Sequence, residues 1–436
     1  MEKEYDVIVV GSGPGGATVA REMSLKKRKV LLIERGGNWQ FLGNTIGMAM
    51  ILKNFGLTLS KEMNVVVIPK NFGGASVISC GAAVPPPQAV FDEVGIDLTK
   101  ETKEAKVDMG VNVLPDDLIG KTNLRLLEAA NDLGYHWIKT EKFVKPDRCV
   151  PECADCMLGC PRQAKWTARE FGEEALRNGA DLVLHTNVTE IIRESGKAVG
   201  VKATSFGRKS QYFGKRIILS GGTGNVGILR RAGIDEAGRS FAVDFLQFVG
   251  GVIPGMNTTH EQPMAVGTLE HYESDGIILL PVFPNWAMQS VMALLKGPQY
   301  LPRMRDAFRF TGIMVKIKDE LRGEIFPDNP IFPFSKTPTE QDKKRLDKGV
   351  DIIKMVLKKA GASKDSILAF KPSGAHPSAS CRIGVVVDKN LETRIKNLYC
   401  CDASVLPSSL GLPLVWTAVA LGKRLSKHLE GNLQKS

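Results

Sequence analysis

The chain has 436 residues, which at roughly 150 residues per domain predicts two domains with a large buried core. Hydrophobic residues make up 43% and charged residues 24%, a globular composition that excludes a disordered or fibrous chain. The net charge of +11 suits an acidic protein partner or a lipid surface. Because no basic run is interleaved with aromatic residues, we expect no nucleic-acid partner.

The sequence predicts no membrane span, because the most apolar stretch, residues 276–295, is interrupted by Pro281, Pro284 and Asn285. Residues 1–4 lead into a predicted strand without the charged and apolar regions of a signal peptide. We therefore expect a cytoplasmic protein whose eight cysteines are reduced, so that disulfides are disfavoured.

The first predicted element is a strand–turn–helix unit. A strand over 5–10 leads into a G-x-G-x-x-G turn over 11–16, and a helix over 17–24 follows. The glycines of such a turn permit the sharp bend, the approach of the backbone to a pyrophosphate and close packing of helix on strand. A second strand over 29–33 ends at Glu34, where a carboxylate meets the ribose of a dinucleotide. This unit predicts a dinucleotide site.

A second segment of small residues covers 71–81, and it follows a helix predicted over 43–55. Small side chains let a backbone run closely along a flat ligand. The three prolines at 85–87 then end regular structure. Residues 116–133 predict an amphipathic helix that Gly134 caps.

Four cysteines occur within twelve residues, at Cys149, Cys153, Cys156 and Cys160. The C-x3-C-x2-C-x3-C-P spacing differs by one residue from the ferredoxin run C-x2-C-x2-C-x3-C-P. Short spacers of this kind let thiolates converge on one metal centre. We predict a [4Fe–4S] cluster here, with structural zinc and unliganded or disulfide-linked thiols as the alternatives.

The next elements predict a helix, an antiparallel strand meander, a second glycine-rich turn and a short helix. The helix lies at 167–178 and the strands at 182–184, 188–192, 197–203 and 211–219. The glycine-rich turn lies at 220–224 and the short helix at 225–231. This order is typical of a flavoprotein with two dinucleotide-binding units, in which the meander returns to the sheet beneath the cofactor.

Residues 241–371 differ in character and suggest a substrate domain. They are rich in aromatic residues and methionine, which suit a large apolar substrate or, for any one of them, ordinary core packing. Examples are Phe245, Phe248, Met264, Phe283, Trp286, Met288, Met292 and Met304. Residues 339–359 predict a long helix that Gly361 ends.

The C-terminal region carries a third motif in three pieces, at 374–384, 397–407 and 411–417. Together with 11–16, 34–37 and 73–76, these pieces resemble the glucose–methanol–choline (GMC) oxidoreductases. The nearest likeness is to the long-chain alcohol oxidase branch, which residues 159–165 also resemble.

The resemblance implies an α/β fold with two domains. A Rossmann-like, two-dinucleotide-binding FAD domain would comprise 1–90, 145–240 and 372–436. A substrate domain built on an antiparallel sheet would comprise 91–144 and 241–371.

The resemblance also implies bound FAD. Glu34 would hold the adenosine ribose, and Val188 would meet the adenine through its backbone. Ile78 stands where some relatives attach FAD to a histidine, so we expect the flavin to be bound non-covalently. The implied cofactor-binding residues are Gly11, Ser12, Gly13, Gly16, Glu34, Arg35, Gly73, Gly74, Ser76, Val188, Asp402, Ala403, Pro413 and Leu414.

His376 matches the catalytic histidine of the family. Alcohol oxidation needs a base for the hydroxyl proton while a hydride leaves the carbon, and imidazole titrates near neutral pH. Relatives usually carry a second His or Asn where this chain has Leu412. That difference is compatible with another redox reaction at the same flavin.

We therefore expect a dehydrogenase that moves a hydride from an apolar alcohol to flavin N5. Its electrons would leave through the cluster to an acidic carrier such as a ferredoxin. One alternative reverses the flow and reduces a C=C or C=O bond in a hydrophobic substrate. Another is a non-catalytic binding module with structural zinc.

Overall fold

The computed structural model describes residues 4–39, 57–62, 65–258, 260–283 and 309–434. The helix predicted over 43–55 lies outside these ranges. So do four residues of the predicted substrate lining, namely Trp286, Met288, Met292 and Met304.

The described residues form ten α-helices, twenty strands and several 3-10 turns. Helices α1 to α10 are Pro14–Leu25, Gln88–Asp92, Thr99–Asp108, Asp116–Ile119, Lys121–Asp132, Ala168–Arg177, Asn225–Arg231, Tyr272–Asp275, Glu340–Ala360 and Val415–Leu433. Strands β1 to β10 are Glu4–Val10, Val30–Ile33, Leu57–Leu59, Val65–Val67, Asn112–Val113, Ile138–Lys139, Glu141–Lys142, Asp181–Val183, Asn187–Glu194 and Lys197–Ser205. Strands β11 to β20 are Arg208–Leu219, Phe245–Val252, Val266–Gly267, Ile277–Pro281, Phe310–Ile317, Glu324–Ile325, Phe334–Ser335, Leu368–Ala369, Ser373–Gly374 and Leu398–Cys400.

The first sheet has the order β8-β2-β1-β11-β10-β9, with β20 paired to the end of β11. Strands β8, β2, β1, β11 and β20 run parallel, whereas β9, β10 and β11 form an antiparallel meander. The predicted parallel unit is confirmed, and so is the meander over 188–192, 197–203 and 211–219, whereas the strand predicted at 182–184 instead pairs parallel with β2. The Rossmann-like α/β fold class is therefore correct.

The parallel strands are apolar runs because both faces of this sheet are covered. Residues Val7 to Val9 and Leu31 to Ile33 are almost fully buried. On one face α1 packs against α10, where a Cβ on Gly422 would lie 2.8 Å from Thr18 Cβ. This packing fixes the start of α1 at the carboxyl end of β1.

The second sheet has the order β14-β15-β12-β18, and β19 also pairs with β12. These pairings are antiparallel, as predicted for the substrate region. Helix α9 packs on the sheet and begins with a capping box, in which the Thr339 hydroxyl accepts from Asp342 N while the Asp342 carboxylate accepts from Thr339 N. The helix ends at Gly361, as the sequence predicts. The residue boundaries of the two domains stay a prediction.

The helix predicted over 116–133 is divided into α4 and α5 at Gly120, whose φ is +97°. The cause is a distant side chain. The carboxylate of Glu261 accepts the N–H groups of Thr122 at 2.7 Å and Asn123 at 2.9 Å, so it caps a new helix start. None of the helices in the described part of the chain has the length and apolar character that crossing a bilayer requires.

Candidate active site

The carboxyl ends of the parallel strands bring the predicted cofactor residues to one edge of the first sheet. The loops after β1, β2, β11 and β20 begin at Gly11, Glu34, Ser220 and Cys401. Gly11 adopts φ +102° and donates its N–H to Ile33 O. A Cβ at this position would lie 2.4 Å from Ser220 O, so only glycine fits between the two loops. Ligands of open α/β sheets bind at such an edge.

The N-terminus of α1 is partly buried and has no side-chain cap. Gly13 is the N-cap residue, no side chain caps the helix, and Gly15 and Gly16 lie buried in its first turn. A Cβ built on Gly13 would meet nothing within 4 Å. Uncapped N–H groups and the positive helix end are suited to an anion, and the space at Gly13 lets a phosphate approach.

Glu34 is buried and links the first two loops. Its Oε2 accepts from Ser12 N at 3.0 Å and Ser12 Oγ at 2.7 Å, and its Oε1 accepts from Gly36 N at 2.7 Å. These bonds orient the carboxylate at the end of β2. They leave lone pairs on both oxygens for the hydroxyls of a ribose.

Arg35 adds an unpaired positive charge to this edge. Within the described ranges it has no hydrogen bond and no ion pair. Burial lowers the pKa of Arg35, and neighbouring Glu34 opposes that effect. Burial and the charge of Arg35 likewise lower the pKa of Lys70. Among the described residues, neither Arg35 nor Lys70 forms an ion pair with a carboxylate, which suits an anionic ligand.

The second small-residue segment lies directly against the first glycine-rich loop. Gly73 N donates to Ser12 Oγ at 3.1 Å, and a Cβ on Gly74 would lie 2.8 Å from Gly13 Cα. The 3-10 turn Gly74–Ile78 follows, in which Ser76 Oγ donates to Gly73 O at 2.6 Å. The predicted second motif is therefore joined to the dinucleotide loop.

The C-terminal motif closes the same edge. The Asp402 carboxylate accepts from Gly222 N at 2.7 Å, Asn225 Nδ2 at 2.9 Å and Ser404 N at 2.7 Å. Ala403 begins the 3-10 turn that follows. Val188 is buried in β9, where it pairs with Ala203.

His376 lies two residues beyond β19, and its imidazole contacts two buried charges. His376 Nδ1 is 2.5 Å from Lys316 Nζ and 3.2 Å from Asp244 Oδ2. The Lys316 and Asp244 side chains are 1% and 0% exposed and form an ion pair of 3.0 Å, whereas 37% of the His376 side chain is exposed. Lys316 and Asp244 thus contact Nδ1 from the protein interior, and the rest of the ring is partly accessible.

The strand register explains why these three residues meet. Leu246 of β12 pairs with Lys316 on one side and with Ser373 on the other. Asp244 precedes β12, and His376 follows β19. Burial and the charge of Lys316 lower the pKa of His376, and Asp244 opposes them. A neutral imidazole is therefore favoured.

A second buried ion pair supports the first. Lys336 Nζ and Asp319 Oδ2 are 2.8 Å apart, with side chains that are 1% and 0% exposed. Ser409 Oγ lies 2.9 Å from Asp319 Oδ1 and 3.0 Å from Asp244 Oδ1, so it connects the two carboxylates. The sequence did not predict the five residues of these two pairs and their link as part of the site, namely Asp244, Lys316, Asp319, Lys336 and Ser409. The available signal was a charge inside an apolar run, as at Lys316 within β15.

The start of α10 lies next to this network. Lys316 Nζ donates to Leu412 O at 2.6 Å. Leu412 is buried, Pro413 follows it, and Leu414 is the N-cap residue of α10. The chain thus places two buried apolar side chains, Leu412 and Leu414, at this helix start, which has no side-chain cap.

The four-cysteine segment does not assemble a metal site. In the parts of the chain that the structure describes, no group of three or more His, Cys, Asp or Glu side chains lies close enough to hold a metal ion. Cys156 Sγ donates to Gln262 Oε1, and Gln262 Nε2 donates to Cys149 Sγ, both at 3.2 Å. Cys153 and Cys160 contact neighbours in their own turn. This geometry gives the predicted iron–sulfur or zinc centre no support.

A buried lysine joins the cysteine segment to the second motif. Lys165 Nζ donates to Ser76 O at 3.2 Å, Val77 O at 2.7 Å, Ser79 O at 2.7 Å and Cys156 O at 2.6 Å. Burial lowers the pKa of Lys165 to about 8. Lys165 therefore fixes the backbone that follows Gly73 and Gly74.

Comparisons with known proteins agree with this arrangement. The sequence profile of the GMC oxidoreductase N-terminal region matches residues 6–252, and that of the C-terminal region matches 291–422. An uncharacterised protein of Methanocaldococcus jannaschii is 27% identical over 98% of this chain and 100% of its own length. A long-chain-alcohol oxidase of Arabidopsis thaliana is 22% identical over 95% of this chain and 67% of its own length. A cholesterol oxidase of Acinetobacter baumannii is 22% identical over 98% of this chain and 94% of its own length.

Two solved structures share the fold. A formate oxidase of Aspergillus oryzae has a TM-score of 0.76 at 14% identity and covers 100% of this chain and 99% of its own. A pyridoxine 4-oxidase from Mesorbium loti has a TM-score of 0.72 at 14% identity and covers 98% and 99%. The first profile alone matches more than half of the chain. The chain therefore belongs to the GMC oxidoreductase family and is an FAD-dependent oxidoreductase.

Proposed function

We propose that this protein oxidises an apolar alcohol by transferring a hydride from its CH–OH carbon to FAD, with His376 as the base. The observation that carries the proposal is the placement of His376, whose exposed ring is held by buried Lys316 and Asp244 beside the start of α10. Bound FAD supplies the hydride acceptor.

The cofactor residues in this proposal are those that the family resemblance implies. The uncapped α1 N-terminus would hold the pyrophosphate, Glu34 the adenosine ribose, and Arg35 would balance the negative charge. The remaining contacts would come from Gly11, Ser12, Gly13, Gly16, Gly73, Gly74, Ser76, Val188, Asp402, Ala403, Pro413 and Leu414. No covalent bond to the chain is proposed.

His376 takes the hydroxyl proton at Nε2 when its own ring proton is on Nδ1, which lies 2.5 Å from Lys316 Nζ and 3.2 Å from Asp244 Oδ2. General bases of this kind contribute about 10² to 10⁴ in rate. The lowered pKa of His376 keeps the ring in its unprotonated form at neutral pH. The buried pair fixes the orientation of the ring, which a base needs to meet the hydroxyl.

The apolar class of alcohol is supported by two observations. Leu412 replaces the second polar residue of relatives and is buried beside the Lys316 contact. In addition, the relatives include a long-chain-alcohol oxidase and a cholesterol oxidase. A site without that second hydrogen-bonding group relies more on burial of the substrate's apolar surface.

Several finer predictions remain outside this proposal. A dehydrogenase that passes electrons through a cluster to an acidic carrier needs a metal centre, and the cysteine geometry does not fit one. The proposed reaction therefore includes no electron transfer through a cluster. The proposed reaction ends at the reduced flavin, and a cytoplasmic location stays a prediction.

The reverse reaction, reduction of a C=O or C=C bond, is the second candidate. One contact favours it. A protonated Lys316 that donates to His376 Nδ1 leaves the ring proton on Nε2, where it would be donated to a substrate oxygen or carbon.

The test is an anaerobic flavin assay on the FAD-loaded protein. We expect 1-dodecanol or a sterol to bleach the flavin band and ethylene glycol to leave it unchanged. Reoxidation of photoreduced flavin by an enone or an aldehyde, without bleaching by any alcohol, would replace the proposal with the reductase. A protein that does neither, and retains FAD unchanged in His376→Ala, would contradict both and favour a binding module.

A further inference from the structure

We infer that Lys316 is the proton-relay partner of His376. When a proton enters the ring at Nε2, the ring passes its Nδ1 proton to the Lys316 amine. This inference rests on the proposed function, because it concerns the proton released by the same alcohol. It assigns to a buried lysine a role that the family resemblance did not give to any residue. Lys316 acts through His376 and is therefore a positioning residue.

The contacts around Lys316 leave it few other roles. Its ammonium group has three protons, and the structure supplies three acceptors, namely His376 Nδ1 at 2.5 Å, Leu412 O at 2.6 Å and Asp244 Oδ2 at 3.0 Å. A lysine that only balanced Asp244 would not need the imidazole. The contact with Nδ1 couples the protonation of the lysine to that of the ring.

The proton arithmetic follows from the tautomers of His376. When Lys316 carries three protons, it donates to Nδ1, and Nε2 holds the ring proton and cannot act as a base. When Lys316 is a neutral amine, Nδ1 holds the ring proton and Nε2 is free to accept. Lys316 thus determines whether His376 accepts or donates a proton.

The oxidation step balances in this arrangement. The carbon loses a hydride, and the electron pair of that hydride reduces the flavin. The hydroxyl proton moves to His376 Nε2, and the Nδ1 proton moves to the Lys316 amine. The products are a carbonyl compound, a reduced flavin and an ammonium ion paired with Asp244. Reduction of a carbonyl follows the same path in reverse.

The other charges near Lys316 set its proton affinity. Asp244 contacts it directly, and Asp319 acts from the second buried pair, where Lys336 neutralises it. Tyr272 also interacts with Asp244, and burial raises the pKa of Tyr272 so that it stays neutral. Burial lowers the pKa of Lys316, whereas Asp244 and Asp319 raise it. The lowered pKa favours loss of a proton from the ammonium group, and the 2.5 Å contact with His376 Nδ1 gives that proton a partner.

Two substitutions separate a relay from a structural role. Lys316→Arg keeps the charge beside Asp244, but a guanidinium does not give up its proton in proteins, so it cannot accept another. Lys316→Met removes the charge at similar volume. Lys423→Met is the matched control, because Lys423 is also a buried, ion-paired lysine, with Glu22 at 2.9 Å and Asp108 at 2.6 Å, but does not contact His376.

The first readout is the ring tautomer of His376, measured by ¹⁵N NMR on the FAD-loaded, histidine-labelled protein and assigned with His376→Gln. We expect the Nε2–H form in Lys316→Arg and the Nδ1–H form, with a higher ring pKa, in Lys316→Met. The ring pKa rises because a neighbouring cation is lost while Asp244 remains. Identical tautomers and pKa values in both variants and in Lys423→Met would overturn the inference, whether or not any alcohol is a substrate.

The second readout is the pH dependence of anaerobic flavin bleaching. We expect a loss of at least about 10²-fold in Lys316→Arg at the wild-type optimum, because its ring proton is held on Nε2, and a shifted acid limb in Lys316→Met, whose ring pKa is raised. Wild-type bleaching together with full rescue by Lys316→Arg would refute the relay and leave the proposed function intact. Absence of bleaching in the wild type would refute the proposed function, and the NMR result would still decide the coupling of Lys316 to His376.

Discussion

The buried pair of Asp319 and Lys336 offers a quantitative test of how the site is held. Asp319 Oδ2 accepts from Lys336 at 2.8 Å and Val243 N at 3.2 Å, and Oδ1 accepts from Asp244 N at 2.9 Å. In Asp319→Asn an amide nitrogen replaces one of the two carboxylate oxygens. At the position of Oδ2 it faces two hydrogen-bond donors, and at the position of Oδ1, after a flip of the amide, it again faces two. Breaking a buried pair costs about 3–5 kcal/mol, and this donor clash puts Asp319→Asn near the upper limit.

Lys336→Met removes the cation but leaves the carboxylate with its backbone donors, so we expect a loss of about 3 kcal/mol in the free energy of unfolding. The double variant buries no net charge at the pair. We therefore expect it to lose at least about 2 kcal/mol less than the sum of the single variants.

The assay is urea unfolding at fixed excess FAD, followed by far-UV circular dichroism. The exposed pair of Lys343 and Glu340, at 54% and 82% exposure, is the matched control. Its cycle should give a coupling below about 1 kcal/mol. A coupling between Asp319 and Lys336 as small as that of the control pair would refute the reasoning.

Three further outcomes are expected at the cofactor edge. Glu34→Ala should weaken FAD binding by about 10- to 100-fold in a fluorescence titration, since charge-assisted hydrogen bonds contribute about 1.5–3 kcal/mol each, whereas Glu190→Ala at the surface should not. Gly13→Ala should fold normally but lose FAD affinity, whereas Gly16→Ala should fail to fold, because its Cβ would lie 2.1 Å from Gly11 O. Lys165→Met should release the backbone after Gly73 and reduce the FAD content of the purified protein.

The features predicted correctly are those encoded in short stretches of sequence. The strand, glycine turn and helix at the N-terminus are defined by residues within one another's reach, and α9 carries its own start and stop signals. The fold class followed from such units and from the GMC motifs. His376 was proposed as the base from its motif alone, and that role stays a prediction; the structure shows its contacts with Lys316 and Asp244.

The features missed depend on contacts between distant parts of the chain. Lys316 and Asp244 meet His376 only because β15 and β19 both pair with β12, which no local pattern reveals. The break at Gly120 depends on Glu261, more than a hundred residues away. For the cysteine segment, spacing alone suggested convergence, but the structure directs two of its thiols to the Gln262 amide.

The most direct measurement of the central claim is stopped-flow reduction of bound FAD by 1-dodecanol and by its α-dideuterated form, in the wild type and in His376→Gln. We predict flavin bleaching with a primary isotope effect in the wild type and a loss of about 10²-fold or more in the variant, which keeps its FAD. Equal rates in the two proteins, or bleaching without an isotope effect under conditions where chemistry limits the rate, would contradict hydride transfer assisted by His376.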